Sequence, residues 1–267
     1  KAAVIVHREE DPGAVKQRVM RRLCQTINPL ASPPDIKGWP FGQSLTAWDI
    51  YKIVSEEPGV SSVSKVRLIV DEVPGNNVKA LCADGFQAHT WYTGCGETVF
   101  RSMDDGEGWE PIGGFTDEVV TLVKAFPREA STHSRQAGLV AVATELHDSG
   151  SRLHISRDCG ETWEVGLQTA FLVEDMAWLE RDGVPLLLLA TEKGLYELKT
   201  EAGAHPHQIL VDVSDPSLGF YAITVSTDVC GGTSVAVAAR GDKGVYLSNK
   251  GGQPESFKAI GLKKELC

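Results

Sequence analysis

Two periods of hydrophobic spacing divide the chain. Between residues 11 and 55 apolar side chains recur at every third or fourth position, the spacing of one helix face. From residue 78 onward they alternate over short runs or fill them, as in strands covered on one or both faces. The first stretch predicts a strand over Ala2–Val6 and a helix opening at Asp11-Pro12, a capping carboxylate followed by a residue preset for the first turn. Val15, Val19, Leu23 and Ile27 make its apolar stripe, and Asn28-Pro29 ends it. A Pro-rich connector leads to a second helix carrying Leu45, Trp48, Tyr51, Ile53 and Val54, capped by Ser44 or Thr46. A strand over Val60–Val70 follows. Strand, helix, helix, strand predicts a small α+β module.

The second stretch repeats. Val78–Ala83, His89–Thr93, Thr98–Arg101 and Trp109–Ile112 form a set of four short runs. Equivalent sets end at Trp163–Gly166, His207–Val211 and Phe257–Ile260. Four short strands per unit, at this period, predict a mainly β chain built of propeller-like blades, four in view. Two units carry the same octet, Ser-x-Asp-x-Gly-x-x-Trp. It reads Ser102, Asp104, Gly106, Trp109 in the first and Ser156, Asp158, Gly160, Trp163 in the second. Asp bonds its own turn, Gly supplies positive φ, and Trp anchors the turn on apolar neighbours. The third unit lacks the octet, and the fourth keeps Ser248-Asn249-Lys250-Gly251-Gly252 with Phe257 near the Trp position. The turn-rich Val73–Asn77 marks the boundary, giving domains 1–72 and 73–267.

Each part resembles a known family. Gly38-Trp39-Pro40-Phe41-Gly42, the helix with Asp49-Ile50-Tyr51, and Pro58-Gly59-Val60 are similar to the C-terminal part of baseplate J-like proteins. Those proteins build the wedges of contractile phage tails and related injection systems. The resemblance implies a structural role, with other wedge, sheath-ring and spike or hub proteins as partners. It also implies cytoplasmic assembly into a phage-tail-like particle. It makes Trp39, Phe41 and Trp48 candidate assembly contacts, since aromatic anchors favour interfaces; the same residues also suit a local core. The octets resemble the Asp-box, or bacterial neuraminidase repeat, of sialidase-like propellers. That resemblance specifies a fold and leaves activity open. Four blades are few for such a propeller. A closed or nearly closed four-bladed arrangement is the expectation, with a chain truncated at Cys267 or a ring completed by a partner as the alternatives.

Charge and composition narrow the partners. The net charge of −10 sits in the repeats: residues 1–72 sum to +1 and residues 73–267 to −11. An acidic repeat region excludes nucleic acid and anionic membrane as its targets. Six dispersed cysteines without a CxxC predict a reducing compartment and neither a disulfide framework nor a zinc site. The longest apolar run, Val184–Ala190, is too short to span a membrane, and no secretory leader is seen. No Phe/Tyr-Arg-Ile-Pro motif, Gly-x-Ser-x-Gly elbow or phosphate-binding loop is present. The octet resemblance implies that Arg101 and Arg157 point outward. No catalytic, cofactor or metal residue is therefore assigned, and no enzymatic activity is expected. The alternatives to a baseplate component are a propeller that binds a glycan or protein and, third, a sialidase-type hydrolase.

Overall fold

A computed structural model describes residues 2–28, 39–40, 45–66, 68, 72–75, 77–128, 136–147, 150–201, 204–228 and 231–261. The chain divides into two compact units, Lys1–Val70 and Asp71–Cys267.

The first unit holds β1 (Ala3–Val6), α1 (Pro12–Ile27), α2 (Ala47–Ser55) and β2 (Val60–Ser64). The Asp11 carboxylate accepts the Ala14 N–H at 2.7 Å and starts α1. Of the two expected caps on α2, Ser44 lies outside the described residues. Thr46 forms a reciprocal box with Asp49: Thr46 Oγ1 accepts the Asp49 N–H, and the Asp49 carboxylate accepts the Thr46 N–H at 2.9 Å. β1 and β2 pair antiparallel, with Ala3 opposite Ser64. The strand expected to reach Val70 stops at Ser64, because Lys65 takes φ 51° and turns the backbone out of extension. Val15, Val19, Val54 and Val63 form the buried core. Arg18 and Arg22 of α1 tie the turn after α2, bonding Glu57, the Pro58 carbonyl and the Glu56 carbonyl.

The second unit is four antiparallel sheets of four strands, each ordered as in the sequence. Blade 1 is β3 (Val78–Ala83), β4 (Trp91–Cys95), β5 (Thr98–Ser102) and β6 (Glu110–Gly114). Blade 2 is β7 (Glu118–Ala125), β8 (Val140–Leu146), β9 (Ser151–Ser156) and β10 (Glu164–Thr169). Blade 3 is β11 (Val173–Arg181), β12 (Val184–Thr191), β13 (Gly194–Lys199) and β14 (His207–Ile209). Blade 4 is β15 (Phe220–Thr227), β16 (Thr233–Ala239), β17 (Val245–Ser248) and β18 (Lys258–Ala259). The first strands of successive blades lie side by side, so β3, β7, β11 and β15 are the inner strands. Each carries a register shift near its start, at Val78/Ala80, Val120/Leu122, Val173/Asp175 and Phe220/Ala222. A bulge bends a strand and raises its twist, which suits the crowded inner position.

Apolar cores fill the spaces between consecutive blades. Ala80, Tyr92 and Val99 meet Val120, Val140 and Val142 between blades 1 and 2. Ala141, Ala143 and Leu153 meet Met176, Trp178 and Leu189 between blades 2 and 3. Leu179, Leu186 and Leu188 meet Phe220, Val235 and Tyr246 between blades 3 and 4. Burying these sheets from both sides is what the continuous apolar runs of β8 and β12 encode. Among the described residues, no such core joins blade 4 to blade 1. In place of the closed or nearly closed arrangement expected, the described residues form four blades in series with three cores between them.

Candidate functional site

In each octet the serine and the aspartate bond back to the turn's own backbone. Ser102 Oγ accepts the Gly106 N–H at 2.8 Å and donates to Asp104, whose carboxylate accepts the Gly108 N–H at 2.9 Å. Ser156 Oγ likewise accepts the Gly160 N–H at 2.8 Å, and Asp158 accepts from the Thr162 N–H and hydroxyl. The fourth and fifth octet positions are left-handed in both copies: Asp105 at φ 59° with Gly106 at 91°, and Cys159 at 60° with Gly160 at 87°. The decayed copy keeps the same core, with Ser248 Oγ accepting from Gly252 N–H at 3.1 Å and Gly251 and Gly252 both left-handed. The Gly108 N–H and the Ser102 hydroxyl hold the Asp104 carboxyl below the usual range. Burial pushes Asp158 up, but its Thr162 and Ser156 bonds outweigh this and leave it lowered.

The two octet tryptophans differ in their surroundings. The Trp163 indole N–H donates to the Ile112 carbonyl of blade 1 at 2.8 Å, and the ring meets Phe115 edge-on at 5.7 Å. The Trp109 indole N–H donates to no described residue. The structure corrects the outward arginine. Arg101 is only 3% exposed and points into the space between blades 1 and 2. There it bonds Glu110, the Cys159 carbonyl at 2.6 Å and Glu161 at 2.9 Å. Arg157 is half exposed and donates to the Thr200 carbonyl.

A polar cluster that sequence patterns did not single out lies on blade 2. Glu118 is buried and accepts from the Thr144 hydroxyl at 2.5 Å, from His154 Nε2 at 2.9 Å and from Arg152. Burial pushes the carboxyl up, yet these three partners hold it below its ordinary value. Burial lowers His154, with Glu118 opposing. Phe115 lies over the imidazole at 4.1 Å. With Glu118 itself the cluster spans three strands, and the register of β7, β8 and β9 brings it together. Every oxygen of the carboxylate is occupied, and the cluster stitches blade 2 rather than presenting a free acid or base. Among the described residues, no group of three or more His, Cys, Asp or Glu is placed to hold a metal ion.

The remaining surface of interest lies on blade 1. Every blade has a near face, toward the preceding blade, and a far face, toward the next. Register aligns Leu81, Val123, Met176 and Ile223 on the near faces of blades 1 to 4. Val123, Met176 and Ile223 are 2%, 0% and 6% exposed, whereas Leu81 is 60% exposed. Trp91 and Phe100 share its face, and Val78, also exposed, lies beside it on β3. Thr93 and Phe100 of the same face are 2% and 6% exposed, so only the part around Leu81 is open, and among the described residues no blade packs on it. The far face of blade 4 has changed chemistry. Where blade 3 presents Leu179, Leu186 and Leu188, blade 4 presents Ser226, Ser234 and Ala236 at the equivalent positions.

In the first unit, Trp48 is 69% exposed and stacks on Tyr51 at 5.2 Å, so it is not a core residue. Trp39 is half-buried and its backbone N–H meets the Asn28 carbonyl. Phe41 lies outside the described residues. No described helix is long and apolar enough to cross a membrane.

No protein-family model and no curated protein matches the chain. Solved structures do. A GH74 xyloglucanase from Xanthomonas campestris matches at 16% identity and TM-score 0.49, over 70% of this chain and 30% of its own. A luciferin-regenerating enzyme matches at 14% and 0.47, over 68% and 61%. NanB, solved with Optactamide, matches at 16% and 0.43, over 73% and 33%. The chain thus spans less than two thirds of each. At these identities the likeness speaks for the fold alone, a propeller with sialidase-like and glycosidase neighbours. It gives no support to the baseplate resemblance of residues 1–72. It also corrects the expectation of no enzymatic activity: the matched structures are mostly enzymes, so this architecture is no ground for excluding catalysis.

Proposed function

We propose that the chain is a protein-binding Asp-box propeller that docks its partner on the near face of blade 1. One observation carries this reading. Leu81 is 60% exposed at a position whose counterparts in the other three blades are at most 6% exposed. Burying a leucine side chain contributes about 1.5–3 kcal/mol, and Trp91, on the neighbouring strand of the same face, adds apolar surface. Aromatic anchors beside an aliphatic one are the composition of an interface centre. Trp109 adds a free indole donor, which asks for a carbonyl on the partner.

A photo-crosslinking residue in place of Leu81 in the full chain tests this in cells that make the protein. A discrete protein adduct is expected from position 81, and none from the exposed loop residue Val213 placed as a control. Equal adduct yields from both positions, or glycan-array binding that Leu81→Asp leaves untouched, would overturn the reading.

A further inference from the structure

We infer that a crevice between blades 2 and 3, beside their inner strands, binds a primary ammonium group on an aliphatic stem, as on a lysine side chain or a free alkylamine. The site is separate from the surface around Leu81 and does not depend on it.

The register shifts of the inner strands build it. Thr121 is the residue skipped where β7 pairs with β8, and Glu174 the residue skipped where β11 pairs with β12. A bulge re-aims the side chain of its extra residue. Thr121 and Glu174 line one cavity of about 160 Å³, together with Glu145 and Ser151 of blade 2. Leu122, Leu172 and Val173 supply the aliphatic part of the lining.

What the polar groups have left to offer selects the ligand. The Thr121 hydroxyl donates to the Ala143 carbonyl at 3.1 Å, and Ser151 Oγ accepts the Val173 N–H at 3.0 Å. Glu174 Oε1 accepts from Arg240, whose guanidinium is held over the Tyr221 ring at 4.7 Å. Glu174 Oε2 and the Glu145 carboxylate have no partner among the described residues. The lining side chains thus offer mainly acceptors, and a lysine-type ammonium carries three donors and no acceptor. Charge agrees: Arg240 balances Glu174, Glu145 is left uncompensated, and a single cation makes the crevice neutral. Size agrees as well. At ~30 Å³ per water-sized group the cavity holds about five non-hydrogen atoms, the count of a lysine side chain from Cβ to Nζ. The stem lies on Leu122, Leu172 and Val173, and the ammonium lies between Glu145 and Glu174.

A chemical-shift titration of the full chain tests this with two probes, cadaverine and the peptide acetyl-Gly-Lys-Gly-amide. Saturable shifts of the Thr121, Ser151 and Glu174 amides are expected. Cadaverine acting alone would assign the site to free amines, and the peptide acting alone to lysine side chains. Glu145→Gln, at an exposed position, should weaken binding at least about tenfold, the worth of one charge-assisted hydrogen bond. Acetylating the peptide lysine keeps the stem and removes the charge, so equal shifts from the acetylated peptide overturn the inference. So does a lack of shifts with both probes, and so does binding that Glu145→Gln leaves unchanged. Should that variant fold poorly by circular dichroism, the acetylated peptide decides on the wild-type chain.

Discussion

Trp109 and Trp163 occupy the last position of the same octet, on turns with the same serine, aspartate and glycine bonds. Trp163 reaches back to the Ile112 carbonyl and sits among Phe115, Ile112 and Val120 of the first core. Trp109 has the same turn beneath it and no preceding blade to reach. The octet therefore fixes a loop, and the neighbouring blade decides whether its tryptophan is structural or available. Repeats of this kind are stabilised by contacts with their neighbours as much as within themselves.

The largest test of that difference is truncation. Trp163→Ala should cost about 3–5 kcal/mol in a denaturant melt, and Trp109→Ala under about 1.5 kcal/mol. Equal losses would mean that Trp109 is covered after all. Adding a methyl group should separate the octets next. A Cβ on Gly160 would lie 2.3 Å from Ile112 Cδ1, whereas one on Gly106 comes no closer than 3.7 Å to Trp109. Both residues also have positive φ. Gly160→Ala should therefore lose roughly 1–3 kcal/mol for overpacking beyond the left-handed strain of about 1–2 kcal/mol that Gly106→Ala also bears. Thermal melts of both variants would show one common shift if the blade contact did not matter. The serine bonds should behave alike, because they do not cross between blades. Ser102→Ala and Ser156→Ala should each lose about 1 kcal/mol, and a large gap between them would break the idea of one shared turn.

The smallest effect is the pH response. Asp104 and Asp158 are both held below their ordinary values. Their contribution is present above the unfolded-state value of about 4 and is lost as the pH falls through the lower folded value. His154, lowered by burial, adds a loss in the same direction once the pH drops below about 6.5. Melts between pH 7 and 3 should fall in two stages, and His154→Gln should remove the first. A profile unchanged by that substitution would place the first stage elsewhere.

Much of this fold was legible because its signals are local. Asp11-Pro12 starts α1, and the octet predicts a hairpin because serine, aspartate and glycine bond within five residues of one another. Strand alternation gave the blades almost to their ends. What stayed hidden depends on partners far along the chain. Arg101 looked like an outward side chain beside a turn, and its burial is tolerable because Glu110 on the next strand and Glu161, 60 residues on, both pair with it. Glu118 sits at the start of a strand, where a charge reads as solvent-facing, until β8 and β9 bring Thr144 and His154 to it. Alternation likewise shows that Leu81 belongs to an apolar face, but gives no sign of whether another blade covers that face.

Three cores in series have a consequence for how the molecule comes apart. In a closed ring every blade is gripped from two sides, and none can leave without two seams opening together. Among the described residues, blade 1 shares an apolar seam with blade 2 alone, formed by Ala80, Tyr92 and Val99. Its amide protons should exchange with solvent ahead of those of β8 and β12, as the outermost plank of a stave vessel loosens before the hoop. Whatever closes the circle would slow that exchange at the end blades first.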